Sequence, residues 1–218
     1  MNLHETLIYQ TIQFVKETLK DAEGGHDWFH IERVWKTARN IASHEQVNIT
    51  VVELAALLHD IADAKFHHGD EELGPQKARQ FLQQLNVEED IIDHVENIIR
   101  NISFKGGNFT ASLSTPELMV VQDADRLDAL GAIGIARAFN YGGFKNRPLY
   151  DPAVSPNLSM DKETYKKSTA PTINHFYEKL LLLKDRMNTA TGKKMAAERH
   201  AFMEKYLEHF YAEWNGEQ

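Results

Sequence analysis

The chain contains no cysteine. That excludes a disulfide framework and any thiolate-held metal, so a bound ion must rest on histidine nitrogen and carboxylate oxygen. It also lacks any apolar run of the roughly 20 residues that a bilayer-spanning helix needs. Its first residues, MNLHETLIYQ, carry acid and amide groups where a secretory leader would carry base. A cytoplasmic location is expected, with no membrane partner. Basic residues are the minority, 24 lysines and arginines against 32 aspartates and glutamates, for a formal charge of −8. Such a balance argues against a nucleic-acid scaffold, which must neutralise a broad row of phosphates. A locally basic pocket for a small phosphate ester is compatible with it. No repeat with a period of about 20–50 residues is present, and no low-complexity segment.

What is present is apolar periodicity and histidine. The 42% hydrophobic content suffices for a sizeable core, and eleven histidines supply nitrogen ligands. The central stretch is Glu53-Leu54-Ala55-Ala56-Leu57-Leu58-His59-Asp60-Ile61-Ala62-Asp63. Its apolar residues fall on every side of a helix, the pattern of a buried one. The spacing predicts a helix from about residue 49 to 65. His59 and Asp60 then sit where unpaired polar groups cost several kcal/mol. Neighbours on a helix point about 100° apart, so neither readily satisfies the other. A shared cation satisfies both.

The remaining pattern is helical as well. Residues 2–21 read as an amphipathic packing helix that stops at Gly24-Gly25. Asp27 is a fitting N-cap for a helix with Ile31, Val34, Trp35, Ala38 and Ile41 as its core stripe and His30 on the inner edge. His67-His68-Gly69-Asp70 and the Gly74-Pro75 break read as a turn, followed by short helices over 76–85 and 88–101. Thr115-Pro116-Glu117 is a helix start, and that helix brings Asp123, Asp125 and Asp128 into two apolar turns. A solvated acidic face is one account of them and ligation another; spacing does not choose between Asp123 and Asp125. From Asn140 to Met160 the chain reads as an irregular segment holding Tyr141, Lys145, Arg147 and Tyr150, suited to covering a substrate. Two last helices are expected over about 162–187 and 190–213. With no linker, the fold class is all-α, without a sheet, as a single domain over 1–218: a metal-binding core at about 26–130 and C-terminal helices packed on it.

One His, an adjacent His-Asp pair in an apolar helix and a later helical Asp, in that order, resemble the HD superfamily of metal-dependent phosphohydrolases. The stretches GHDWFHIERVW, ALLHDIADAKF, DADRLDALGAIGIAR and HFYEKLLLLKDRMNT are similar to a bacterial branch of small cytoplasmic HD pyrophosphohydrolases, extending the likeness over nearly the whole chain. The resemblance implies a compact HD bundle and places the metal ligands on His30, His59, Asp60 and Asp125, with Asp123 as runner-up. It implies that Asp63, one turn after Asp60, handles a proton. It favours one ion over two, because only His94 and His67 or His68 remain for a second.

Two imidazoles and two carboxylates suit one divalent transition metal. Mn²⁺ is favoured, with Fe²⁺, Co²⁺, Ni²⁺, Zn²⁺ or Mg²⁺ as alternatives. Substrate phosphates need cations, and the candidates are Lys65, Arg126, Lys145, Arg147 and Lys179, with Arg100 and Lys105 besides. His175 stands one turn before Lys179, so both can face one ligand. The expected activity releases nucleoside monophosphate and pyrophosphate from nucleoside or deoxynucleoside triphosphates. The alternatives are a phosphodiesterase or phosphomonoesterase on another small phosphate, and a non-catalytic metal-binding regulatory module.

Overall fold

The computed structural model describes residues 2–20, 22, 27–62, 70–102, 114–159 and 168–217. Among them every regular element is helical and no strand occurs. The protein is all-α, as the apolar periodicities require. The chain gathers into two compact units, Met1–Asp125 and Arg126–Gln218.

In the first unit, α1 (Leu3–Thr18) opens on a reciprocal cap. Asn2 Oδ1 accepts from the Glu5 N–H at 2.8 Å, and the Asn2 N–H donates to Glu5 Oε2 at 3.0 Å. The α2 helix (Trp28–Ala42) buries the expected stripe, Ile31, Val34, Ala38 and Ile41. In α3 (Ile49–Leu58) every residue from Val51 to Leu58 is buried, and α1, α2 and α5 (Glu89–Ile102) surround it. That buried run includes Glu53. Its carboxylate is tolerated because Trp35 Nε1 donates to it at 3.0 Å and Arg39 Nε pairs with the same oxygen at 3.1 Å, while His4 Nε2 lies 2.9 Å from the other.

The α3 helix is shorter than its sequence pattern. It ends at Leu58 rather than near residue 65, and the Ile61 N–H reaches back three residues, to the Leu58 carbonyl at 3.5 Å. This tightening places His59 and Asp60 at the helix end, not within it. A second correction concerns Gly74-Pro75, which lies inside the first turn of α4 (Leu73–Gln84) instead of breaking the chain. Proline is accommodated there because first-turn N–H groups have no intrahelical partner. Arg79 on α4 pairs with Glu89, Asp93 and Glu96 of α5 and fastens the two helices together. At the start of α6 (Pro116–Asp128), Thr115 Oγ1 accepts from the Leu118 N–H at 3.2 Å. Glu117 is buried and accepts from the Asn48 N–H at 2.8 Å, which ties the start of α6 to the start of α3.

The second unit begins at Arg126, in the last turn of α6, and a bend at Ala129-Leu130 leads into α7 (Gly131–Phe144). Gly131 takes φ +71°, a conformation most side chains resist. A Cβ at Gly134 would overlap the Ala129 carbonyl. Arg137 Nη1 donates to Asp128 Oδ2 across the bend at 2.5 Å, and Arg199 Nη1 donates to the Leu127 carbonyl at 2.5 Å. Helix α7 continues to Phe144, so Asn140–Phe144, expected as irregular chain, is helical. A composite helix follows: α8 (Thr172–His175), one π-helical turn (Phe176–Leu180) and a 3₁₀ turn (Leu181–Arg186). The long α9 (Ala190–Trp214) packs against α7 and that 3₁₀ turn, with Thr189 Oγ1 accepting from the Gly192 N–H at 2.9 Å.

Candidate metal centre

Asp27 closes the first turn of α2 by accepting from the His30 N–H at 3.0 Å. A cap of this kind contributes about 1 kcal/mol, and this one fixes the backbone from which the His30 ring projects. His30 is 2% exposed, so its ring nitrogens need partners inside the protein. On the other side, His59 follows α3 directly as its C-cap. Its Nδ1 lies 2.9 Å from the Ala56 carbonyl oxygen. A carbonyl only accepts, so in the neutral ring this nitrogen carries the proton and Nε2 presents a lone pair.

The two rings meet edge to face, with centroids 5.5 Å apart and planes at 70°. One donor atom each from His30, His59 and Asp60 lie within 4.8 Å of one another. Asp125, on α6, adds a carboxylate oxygen 3.5 Å from His30 Nε2 and 4.0 Å from His59 Nε2. Ligands bound to one ion at about 2.0–2.2 Å stand roughly 3–4 Å apart. The donor spacing fits an ion between these side chains, and its nitrogen–oxygen chemistry suits a divalent transition metal. Asp123 is fully buried, whereas the Asp125 side chain is 41% exposed. Two residues on, a helix has turned through about 200°, so the two carboxylates leave α6 in different directions.

His94, weighed from the sequence as a ligand for a second ion, sits 3.1 Å from Thr115 Oγ1 and 3.6 Å from Glu117 Oε2. Among the described residues, the group that brings three such ligands together is His30, His59 and Asp60. Asp63 and Lys65 lie outside the described residues, as do His67, His68 and Lys105.

The expected substrate cations have different surroundings. Arg126 Nη1 donates to the Arg186 carbonyl at 2.6 Å and so ties the end of α6 to the 3₁₀ turn. Arg100 is paired with Glu72 and Glu96 at 2.9 and 2.7 Å. Lys145 Nζ lies 5.7 Å from the Tyr141 ring centroid and 5.0 Å from that of Phe144, both exposed rings. Arg147 covers the Tyr141 ring at 5.6 Å and donates to the Ser168 carbonyl at 2.5 Å. His175 is pushed down to about 4, chiefly by burial, then by the charges of Lys179 and Arg147. The charges of Arg147 and of Lys179 thus both bear on His175. Helical spacing announced the second pair, but Arg147 is 28 residues from His175 and no sequence signal joined them. The orienting role of the Ala56 carbonyl was also missed; its three-residue spacing before His59 was the available sign.

The HD domain family matches residues 28–130. The Bacillus subtilis protein YpgQ is 37% identical over 195 residues, which cover 89% of this chain and 87% of that one. Among solved structures, an HD-superfamily hydrolase from Bacillus thuringiensis is 46% identical, with a TM-score of 0.78 over 97% of this chain and 98% of that one. Bacillus subtilis YpgQ in complex with ADP is similar at 34% identity and a TM-score of 0.77, over 97% of each chain.

Proposed function

The chain belongs to the HD superfamily of hydrolases, and from that premise we propose that it is a divalent-metal-dependent pyrophosphohydrolase of nucleoside triphosphates. The observation that carries the proposal is the convergence of His30, His59 and Asp60. With Asp125 as the fourth ligand, these side chains would hold one ion, Mn²⁺ by preference. When bound, the ion supplies Lewis acidity toward phosphate oxygen and toward water.

This chain's own residues do the rest. The Ala56 carbonyl keeps the His59 proton on Nδ1 and Nε2 free to ligate. Asp27 sets the direction of His30 through the first turn of α2. Asp63 accepts the proton that the attacking water loses. Water oxygen bonds to the α-phosphorus, the bond from that phosphorus to the bridging oxygen breaks, and pyrophosphate leaves. Attack at the α-phosphorus is favoured because it is the cleavage that the likeness to the HD pyrophosphohydrolases implies, and cations would have to match the charge growing on pyrophosphate. A nucleotide as substrate is supported by the related YpgQ having been crystallised with ADP.

The experiment is hydrolysis of a panel of nucleoside and deoxynucleoside triphosphates in ¹⁸O-labelled water with each candidate metal. Label is expected in the nucleoside monophosphate, with unlabelled pyrophosphate beside it. Labelled orthophosphate as the first product would make the protein a terminal phosphatase instead.

A further inference from the structure

Helix α6 ends at Asp128, and Asp125 stands among its last four residues, the stretch whose carbonyls have no partner in a following turn. Helix ends fray unless something outside holds them. Here the end is buried, with Leu127 at 0% and Asp128 at 4% exposure. The Ala129 N–H reaches back to the Arg126 carbonyl and the Leu130 N–H to the Leu127 carbonyl, both at 3.1 Å, so the chain tightens as it leaves the helix. From outside, the end is held by arginine. Arg199, 72 residues further on in α9, donates from Nη1 to the Leu127 carbonyl. Arg137 of α7 donates from Nη1 to the Asp128 carbonyl at 3.3 Å and to Asp128 Oδ2. A guanidinium suits this place because it meets orphan carbonyls and the negative end of the helix dipole together. The Arg199 stem is seated against the bend as well: a Cβ at Gly131 would stand 3.1 Å from its Cγ and 3.2 Å from its Cβ.

We propose that Arg199 is a positioning residue for the metal centre: by capping the last turn of α6 it holds the Asp125 carboxylate toward His30 and His59. The proposal rests on Asp125 being the fourth ligand. Leu127 follows Asp125 by two residues on the same helix, so a donor on its carbonyl fixes the turn from which the Asp125 side chain projects. Of the ligands, Asp125 has most need of this. His30 is directed through Asp27 and His59 through the Ala56 carbonyl. Both of those side chains are nearly fully buried, whereas that of Asp125 is 41% exposed and has fewer neighbours to hold its direction. Arg199 acts through the backbone of α6 and not on the ion itself.

The test is titration of Mn²⁺ alone into the full-length protein, with the free ion counted by electron paramagnetic resonance. Arg199→Gln is expected to bind Mn²⁺ about 10-fold more weakly, the lower end of what metal sites lose when the support of a ligand is removed. Asp125→Asn should also weaken binding, and it keeps an oxygen donor, so binding remains measurable. The double variant should bind no more weakly than Asp125→Asn alone, because residues that act through one another do not add. A residue that only stabilised the fold would leave the affinity of the folded protein unchanged, or lower it independently of Asp125. Unchanged affinity in Arg199→Gln, or losses that add in the double variant, would therefore overturn the proposal. Unchanged affinity in Asp125→Asn would remove the fourth ligand and the proposal with it, so the two failures are told apart. Should Arg199→Gln fail to fold, hydrogen exchange of the wild type decides. The Leu130 amide donates to the carbonyl that Arg199 caps, and it must exchange more slowly once Mn²⁺ is bound, since coupling between two places is reciprocal. An unchanged exchange rate would overturn the proposal.

Discussion

His59 Nδ1 lies 2.9 Å from the Ala56 carbonyl, while His59 Nε2 faces Asp125 Oδ1 at 4.0 Å. One side of the ring is thus held by backbone and the other is left for a ligand. The purified protein is expected to carry up to one equivalent of a transition metal, and His59→Ala or Asp60→Asn to lose it. Elemental analysis reads the result directly. Unchanged metal in both variants would remove the ion from this site.

Asp27 caps the turn that carries His30. Asp27→Ala should lower the unfolding free energy by about 1 kcal/mol, and Asp27→Ser should restore most of it, because serine caps comparably. Urea titration of the three proteins measures this. Metal affinity should follow the same order, since the capped turn directs the ligand.

Asp63 is assigned the proton, not the ion. Asp63→Asn should retain its metal while kcat falls about 10²–10⁴-fold, the range for a missing general acid or base. Wild-type turnover in this variant would return Asp63 to an ordinary surface role.

Glu53 is a buried carboxylate that serves Trp35, Arg39 and His4 at once. Glu53→Ala leaves the Trp35 N–H without its acceptor and should cost about 1–3 kcal/mol. Arg39→Ala should cost under about 1 kcal/mol, because a half-exposed cation gains little from pairing. Similar losses in the two variants would show that the node is not organised around the carboxylate.

His175 couples stability to pH in the ligand-free protein. Its folded value is about 4, chiefly through burial, against 6.5 for an ordinary histidine. Between these values the unfolded chain binds the more protons, so this contribution is complete above pH 6.5 and is lost progressively toward pH 4. The stability of wild type relative to His175→Gln should decline across that window. A constant difference from pH 7 to pH 4 would contradict the burial of this imidazole.

The helices and the adjacent His59-Asp60 pair were legible because short-range rules governed them. An apolar surround announced the burial of α3, Asp27 announced the start of α2, and Thr115-Pro116 that of α6. Three features resisted. The α3 helix stops at Leu58 although apolar residues continue, since a tightened turn buries Ile61 and Ala62 as well as a longer helix would. Gly74-Pro75 carries breaker chemistry, yet a first turn has no N–H to lose. The influence of Arg147 on His175 and the meeting of Glu53 with Trp35 join residues distant in sequence, where periodicity carries no information. Asp125 lay between the two cases: its helix could be read, but its approach to both histidines depends on how α6 is placed beside α2 and α3.

The π turn at Phe176–Leu180 means that this stretch holds one residue more than a regular ladder would use. Removing a single residue from it would replace the π turn by a regular α-helical one ahead of the 3₁₀ turn, while every side chain before the deletion would be rotated by about 100° relative to every one after it. His175 and Leu183, on opposite sides of the turn, would then no longer keep their present faces. The segment is thus a phase shifter: it sets the angular offset between the histidine and the apolar residues downstream, and a one-residue deletion there would change that offset without altering the identity of any remaining side chain.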